Sequence, residues 1–321
     1  MLQELKLVRG AVSTKDLVPV LSHFAICDDK IHGFNGRVHL CAPVRGLSGM
    51  AFTVPAGLFL RAFDACAPAT PGIFIKEQTV VMKSGTFKAV LPIGSIDEFP
   101  MPVDSGDEKI PLINAGLLKT VRSLRSFIGD DATRPWCASI KFDSGKAFAT
   151  NNIVLAEMTM ADIGSFALPV FAVDEIIRID QEPISYSLNE NAITFHYAGG
   201  LWLRATLFED QWPDAGALVD SVHERASLQA IPGDLRAAVT RVAPFCPDAA
   251  FPLIRFHESR VETLDGLQSA SVEMAGLSPC LFHASPLSAV LAVADQADWS
   301  LFPKVPWSGN DMVGVLIGMR A

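Results

Sequence analysis

Two acidic pairs, Asp97-Glu98 and Glu209-Asp210, and seven histidines (His23, His32, His39, His196, His223, His257, His283) are the residues whose types could do acid–base or metal chemistry. Paired carboxylates can act as general acid and base, and imidazoles can shuttle protons or hold a metal. Neither set has the spacing for it. Each acidic pair stands just before an aromatic-proline step, Phe99-Pro100 or Trp212-Pro213, and this repeated position reads as a structural turn. The histidines form no H-E-x-x-H motif and no Cys/His cluster, so each reads as a surface or hydrogen-bonded core residue, with no metal site. No G-x-x-x-x-G-K-[ST] or G-x-G-x-x-G loop is present to cradle phosphates, so no cofactor is expected.

The patterned chemistry is basic. Lys119, Arg122 and Arg125 recur every three residues on a helix expected over residues 114–129. They lie on the flank turned away from an apolar stripe of Leu117, Val121, Leu124 and Ile128, and no acid interrupts the segment. On one helix this is an ordinary solvated face. Other expected helices repeat it: Lys6 and Arg9 on the first, Arg61 on the second, Arg178 near residue 175, Arg236 and Arg241 near residue 238. Acids gather in loops and strands instead, at Asp28-Asp29, Asp97-Glu98, Asp104, Asp107-Glu108 and Glu209-Asp210. A net charge of −9 excludes coating nucleic acid by bulk attraction, but segregated cations suit a surface that meets phosphates on one side.

The elements that must position these residues repeat. The segment from Ser84-Gly85 to Asp97-Glu-Phe-Pro100 has a copy from Gly199-Gly200 to Glu209-Asp-Gln-Trp-Pro213, 115 residues on from glycine to glycine and 113 from aromatic to aromatic. A period near 110 residues is a whole small domain and fits the 321-residue chain about three times. The expected blocks are residues 1–107, 108–219 and 220–321, with a polar linker over residues 104–109, and the last block lacks a clear copy of the segment. Helices are expected near residues 5–12, 55–65, 114–129, 172–179, 232–242 and 286–294. Strands are expected over 20–27, 30–44, 72–83, 86–92, 137–142, 146–150, 184–188, 192–197, 201–208, 251–256, 259–264 and 312–319. Short helices with runs of strands define α+β domains with antiparallel sheets.

Half the residues are apolar and 19% are charged, as expected of a packed globular protein. The six cysteines are scattered and read as reduced core residues of a cytoplasmic protein. No apolar run long enough for a signal peptide or a membrane span is found.

Several ordered motifs carry a resemblance to one family. They are Leu17-Val-Pro-Val-Leu21, Val54-Pro55, the Ser84-to-Pro100 segment, Thr133-Arg-Pro135, Ala149-Thr-Asn-Asn-Ile-Val-Leu-Ala156, Glu209-Asp-Gln-Trp-Pro-Asp214 and Val315-Leu-Ile-Gly-Met-Arg-Ala321. Together they resemble the bacterial DNA polymerase III beta subunit, the sliding clamp, over nearly the whole chain. The last third matches least, apart from its tail.

The resemblance implies three clamp domains of one fold and a head-to-tail homodimer closed into a ring. Helices would line the hole and sheets the outside, and the ring would encircle double-stranded DNA without reading its sequence. The DNA-facing set would be Lys6, Arg9, Arg61, Lys119, Arg122, Arg125, Arg178, Arg236 and Arg241. It also implies a non-catalytic processivity factor that tethers a polymerase and is loaded by a separate ATP-dependent clamp loader. Partner peptides would enter a cleft between the second and third domains, formed by Cys137, Thr150, Asn152, Leu155, Pro213, Ala217, Leu218, Val315, Ile317, Met319 and Arg320.

Three departures make the rim of that cleft less basic and more apolar. Asn152-Ile153-Val154 replaces Gly-His-Arg, Ala217 an Arg, and Gly318 a Pro. With the chain's shortness they fit a diverged or phage-encoded version. The alternative from another class is a clamp-like peptide-docking scaffold that does not encircle DNA; an enzyme with a site invisible to sequence is the weakest reading.

Overall fold

The structure, a computed structural model, describes residues 1–14, 18–102, 108–131, 133–208, 211–248, 250–264 and 266–319. Readings made at Leu17, at Asp104 and Asp107 of the linker, at Glu209-Asp210 and at Arg320 lie outside the described residues.

In chain order the elements are α1 (Leu2–Val8), β1 (His23–Cys27), β2 (Lys30–Phe34), β3 (Val38–Pro43), β4 (Phe52–Pro55), α2 (Ala56–Cys66), β5 (Gly72–Lys76), β6 (Thr79–Ser84), β7 (Phe87–Pro92) and β8 (Ile110–Pro111). Next come α3 (Leu117–Leu124), β9 (Ser139–Asp143), β10 (Lys146–Thr150), β11 (Val154–Thr159), β12 (Phe166–Pro169), α4 (Val170–Ile179), β13 (Ser185–Leu188), β14 (Ala192–His196) and β15 (Trp202–Thr206). The remainder is α5 (Ala215–His223), β16 (Gln229–Ala230), α6 (Leu235–Val242), β17 (Leu253–His257), β18 (Arg260–Thr263), β19 (Ser271–Glu273), β20 (Cys280–His283), α7 (Ala284–Val293), β21 (Gln296–Ala297), β22 (Lys304–Gly309) and β23 (Met312–Ile317).

One order runs three times: a helix, four strands, a helix, three strands, starting at α1, α3 and α6. In each copy the fourth strand enters the second helix without a loop, at Pro55-Ala56, Pro169-Val170 and His283-Ala284. The third copy, whose block lacks a clear copy of the glycine-to-proline segment, is present in the fold. Its final hairpin turns at Asn310-Asp311, both at positive φ, where the earlier hairpins turn at glycines. Asn and Asp tolerate that conformation better than other side chains, so the turn survives without its glycine signal.

The chain forms two compact units, Met1–Asn114 with Asp174–Leu207, and Ala115–Val173 with Phe208–Ala321. Each large sheet is hydrogen-bonded from two distant segments of the chain. The first unit holds β4-β1-β2-β3-β15-β14-β13-β8 and the small sheet β5-β6-β7; the second holds β12-β9-β10-β11-β23-β22-β21-β16 and β19-β18-β17-β20. All named pairings are antiparallel.

Helices cover one face of these sheets. In the first unit, Leu5 and Val8 of α1 and Phe59 of α2 are fully buried. A Cβ on Gly33 of β2 would stand 2.8 Å from the Val8 carbonyl oxygen, so the close approach of α1 requires that glycine. In the second unit, Leu117, Val121 and Leu124 of α3 are fully buried, each worth about 1.5–3 kcal/mol of transfer free energy.

Three expected spans change. The helix over 114–129 shrinks to α3 plus a 3-10 turn over Arg125–Phe127. Asn114 (φ 52°) and Gly116 (φ 65°) break its start, and Ile128 is extended. The strand over 30–44 is the β2–β3 hairpin, closed where Asn35 Oδ1 accepts the Arg37 and Val38 amides at 3.0 and 2.9 Å. The strand over 72–83 is β5 and β6, turned at Glu77 (φ 54°). In the last two cases one polar side chain or one positive φ reverses a chain whose alternation continues on both sides.

Candidate functional site: an apolar cleft on the second unit

The cleft begins with a turn that fixes itself. Between β10 and β11, Asn151 Oδ1 accepts the amides of Ile153 (3.1 Å) and Val154 (2.8 Å). Thr150 Oγ1 donates to the Val154 carbonyl at 2.7 Å and accepts the Asn152 amide at 3.0 Å. The Asn-Asn pair thus does locally what a glycine turn would do, with Asn152 at φ 69°.

The β11–β23 ladder sets Leu155 opposite Val315, and Ile317 donates its amide to the Ile153 carbonyl at 2.8 Å. Strand alternation then brings Leu155, Val315 and Ile317 to one face. The opposite wall is Trp212-Pro213-Asp214 and α5. Asp214 Oδ1 accepts the Ala217 amide at 2.9 Å and caps that helix. The Trp212 indole N–H donates to Ser139 Oγ at 3.0 Å, and its ring meets Trp136 edge-on with centroids 5.2 Å apart. Ala215 and Val219 of α5 are buried with Phe148 and Leu155, and Leu218 packs on that cluster. At the far end of α5, His223 Nε2 stands 3.0 Å from the Gly314 carbonyl oxygen.

The result is a cavity of about 200 Å³ lined by residues of the second unit alone. Seven residues expected from the sequence line it: Thr150, Asn152, Leu155, Pro213, Leu218, Val315 and Ile317. Three others do not. Cys137 is fully buried with Sγ 3.9 Å from Asn152 Nδ2, Ala217 is exposed on α5, and Met319 is held by a two-way backbone bridge to Leu281 of β20. Sequence reasoning missed Trp136, Ile153, Val154, Trp212, Asp214 and Ala215. The last block, expected to start at 220, begins inside α5. The available signal was Asp214, three residues before the amide it caps.

Gly318, next to the cleft, is required by space. A Cβ there would lie 2.7 Å from Phe302 and 2.9 Å from Phe282, and its amide donates to the Pro303 carbonyl at 2.8 Å. Gly318→Ala is expected to cost about 1–3 kcal/mol through forced ring movement. A thermal melt with an unchanged midpoint would contradict this packing.

The nine cations are placed on or just after helices, but several are engaged. Lys6 Nζ lies 3.0 Å from Asp64 Oδ1. Lys119 Nζ lies 2.7 Å from Asp311 Oδ2 in the β22–β23 turn, and the ammonium holds that carboxyl below its usual range. The Arg178 guanidinium lies over Gly10, pairs with Glu175 at 2.6 Å and donates to the Leu7 carbonyl. Arg9 donates to the Val12 carbonyl, Arg61 to that of Gly57, and Arg236 to that of Leu291. Arg61, Arg122, Arg236 and Arg241 are exposed, and Arg125 is half-buried. No acid was visible near Lys119 in sequence because Asp311 is 192 residues away.

The first unit buries a second set of titratable groups. His32 Nδ1 and His39 Nε2 are 3.2 Å apart, and Cys41 Sγ is 3.8 Å from His32 Nε2. Trp202, Phe34 and Phe99 pack around His39. Burial drives the imidazoles down, His32 to about 4 and His39 to about 3, the latter also through repulsion from His32. Burial pushes the Cys41 thiol up to about 12, so it is no nucleophile. Among the described residues no group of three or more His, Cys, Asp or Glu could hold a metal ion. No described helix is long and apolar enough to cross a membrane. Of the six cysteines, all free, five are buried and Cys27 is half-buried.

The frame is one helix-and-sheet order repeated three times, with an apolar cleft on its second unit. The solved structures it resembles include the sliding clamp of Bartonella birtlesii bound to griselimycin (TM-score 0.85, 17% identity), the beta subunit from DNA polymerase of Streptococcus pyogenes (0.84, 16%) and DNA polymerase III subunit beta of Pseudomonas aeruginosa (0.82, 19%). Each alignment covers 100% of this chain and 97% of the other. The chain therefore has the sliding-clamp fold, α+β with antiparallel sheets, over its whole length. No family model and no curated protein matches it.

Proposed function

We propose that the chain is a sliding clamp: a non-catalytic, cytoplasmic processivity factor of three clamp domains that encircles duplex DNA as a head-to-tail homodimer. The observation that carries this is a junction made twice within the chain and left open once. The third strand of a four-strand set joins the last strand of a three-strand set at β3–β15 and again at β11–β23. The two strands left over, β19 and β7, are both outer strands of small sheets. A second copy offers each its missing partner, β19 of one chain against β7 of the other. Exposed Lys88 on β7 and exposed Glu273 on β19 are of opposite sign. Such a heterologous contact closes a ring when made twice.

DNA would pass the helices that carry Lys6, Arg9, Arg61, Lys119, Arg122, Arg125, Arg178, Arg236 and Arg241. Internal acids at Lys6, Lys119 and Arg178 weaken any grip on phosphate. Retention by enclosure with a weak grip leaves the clamp free to slide. Opening the ring would require a separate ATP-dependent loader. The cleft would take an apolar segment of a polymerase or another clamp-binding protein.

The decisive experiment loads the protein on nicked circular DNA and then linearises it. A sliding ring runs off the ends; failure to load, or retention after linearisation, overturns the proposal. Replacing Lys119, Arg122 and Arg125 together by alanine should lower loading and shallow its salt dependence by up to about three phosphate contacts. The pairing of Lys119 with Asp311 favours the rival, a docking scaffold that does not encircle DNA, which would bind peptide normally and never load. For the cleft itself, Leu218→Ala with Ile317→Ala should weaken a leucine- and phenylalanine-bearing peptide about 30-fold, from the apolar area lost. Calorimetry showing unchanged affinity would place the peptide elsewhere.

A further inference from the structure

Behind the Trp212-Pro213 rim lies a second cavity, of about 470 Å³, that shares Trp212, Pro213, Asp214 and Ala215 with the cleft. A ligand in the cleft can therefore cross the rim and stay on the protein. The second cavity differs in chemistry. Its apolar surfaces are Phe148 and Trp212, and its charged residues are Lys141, Asp143, Lys146 and Asp214.

Lys146 is paired with carboxylates, and Lys141 meets a neutral hydroxyl. Lys146 Nζ lies 2.8 Å from Glu157 Oε1 and 3.8 Å from Asp220 Oδ1, and Lys141 Nζ donates to Ser165 Oγ at 2.7 Å. Of the two lining carboxylates, Asp143 accepts from the Ser144 hydroxyl at 3.3 Å and Asp214 from the Ala217 amide at 2.9 Å. Two ammoniums and two carboxylates line the cavity, and Glu157 and Asp220 against Lys146 add two more carboxylates, so the charge around it is net negative. An aromatic wall beside net negative charge fits an aliphatic stem with a cationic head, which gains both ion pairing and a cation–π contact.

Resting on the peptide-cleft reading, we infer that this cavity is a specificity pocket for an arginine or lysine that flanks the apolar anchor of the same bound peptide. The partners selected would carry a basic residue beside their apolar motif, the sign opposite to this acidic chain.

Fluorescence anisotropy with a labelled leucine- and phenylalanine-bearing core peptide tests this, alongside versions extended at either end by Arg, Ala or Glu. One Arg extension should bind about fivefold tighter than its Ala counterpart, and the matching Glu extension weaker than Ala. Asp143→Asn should abolish the Arg gain while the core peptide binds as before. Raising salt from about 50 mM to about 500 mM should shrink the gain in the unmodified protein. Core binding with equal affinities for Arg, Ala and Glu at both ends overturns the inference and leaves the cleft standing. An Arg gain that persists in Asp143→Asn at all salt concentrations also overturns it. Absence of core binding overturns both.

Discussion

Val90→Asp is expected to convert the proposed dimer to monomers, raising its dissociation constant by about 100-fold or more, because a charge would replace an apolar residue at the proposed seam. Val90 is 51% exposed on the outer strand β7, so the isolated chain tolerates the change and its circular dichroism should not alter. Val272→Asp on β19 should have the same effect on assembly from the other side. The informative result comes from mixing the two. In a head-to-tail dimer each variant alone damages both seams. A mixed dimer places both changes in one seam and leaves the other native, so mixing should recover dimer on an analytical ultracentrifuge. A two-fold seam between like strands gives no such recovery. Val90→Asp remaining dimeric at micromolar concentration would remove β7 from the interface.

The second large effect is acid sensitivity of the first unit. His32 and His39 are buried and neutral, with folded values of about 4 and about 3 against an ordinary 6.5. The unfolded chain therefore takes up protons below pH 6.5 that the folded chain refuses. Their contribution is complete above pH 6.5 and is lost as pH falls toward 4. At pH 5 the two together should have cost about 4 kcal/mol relative to pH 8. The charges near the pair act in both directions: Lys30 and Arg204 resist protonation, and Asp28 favours it. Urea unfolding at pH 8 and pH 5, with the His32→Gln/His39→Gln variant beside the native chain, measures this directly. The double variant should lose markedly less stability on acidification. An identical loss would assign the acid lability to other groups.

Much of the fold was legible because its signals are local. The stripe Leu117, Val121, Leu124 is buried as the periodicity required, and the hairpin at Gly85 falls where the glycine marks it. The strands Phe52–Pro55, Phe166–Pro169 and Cys280–His283, each of which delivers the chain into a helix, were not among those expected. The hairpin at Asn310-Asp311 was equally hidden, since a turn satisfied by Asn-Asp carries no glycine. Helix α5 was not among the expected helices, with Gly216 at its start and the expected block boundary at 219 inside it.

For the cleft, residue types on one strand or turn announced themselves: Thr150, Asn152 and Leu155 from one segment, Val315 and Ile317 from another. What brings those segments together is the β11–β23 ladder between residues about 160 positions apart, and hydrogen-bond pairing at that range leaves no mark in either strand. The same holds for Lys119 and Asp311, for His32 with His39 and Trp202, and for the Trp212 indole on Ser139. Sequence alone determined the repeat, the α+β class, the apolar faces and the cationic helices, since propensity and periodicity act within a few residues. Tertiary structure decided the sheet partners, the two-unit division, the neutralised cations and the wall of the cleft, since those depend on which surfaces the folded chain sets against each other.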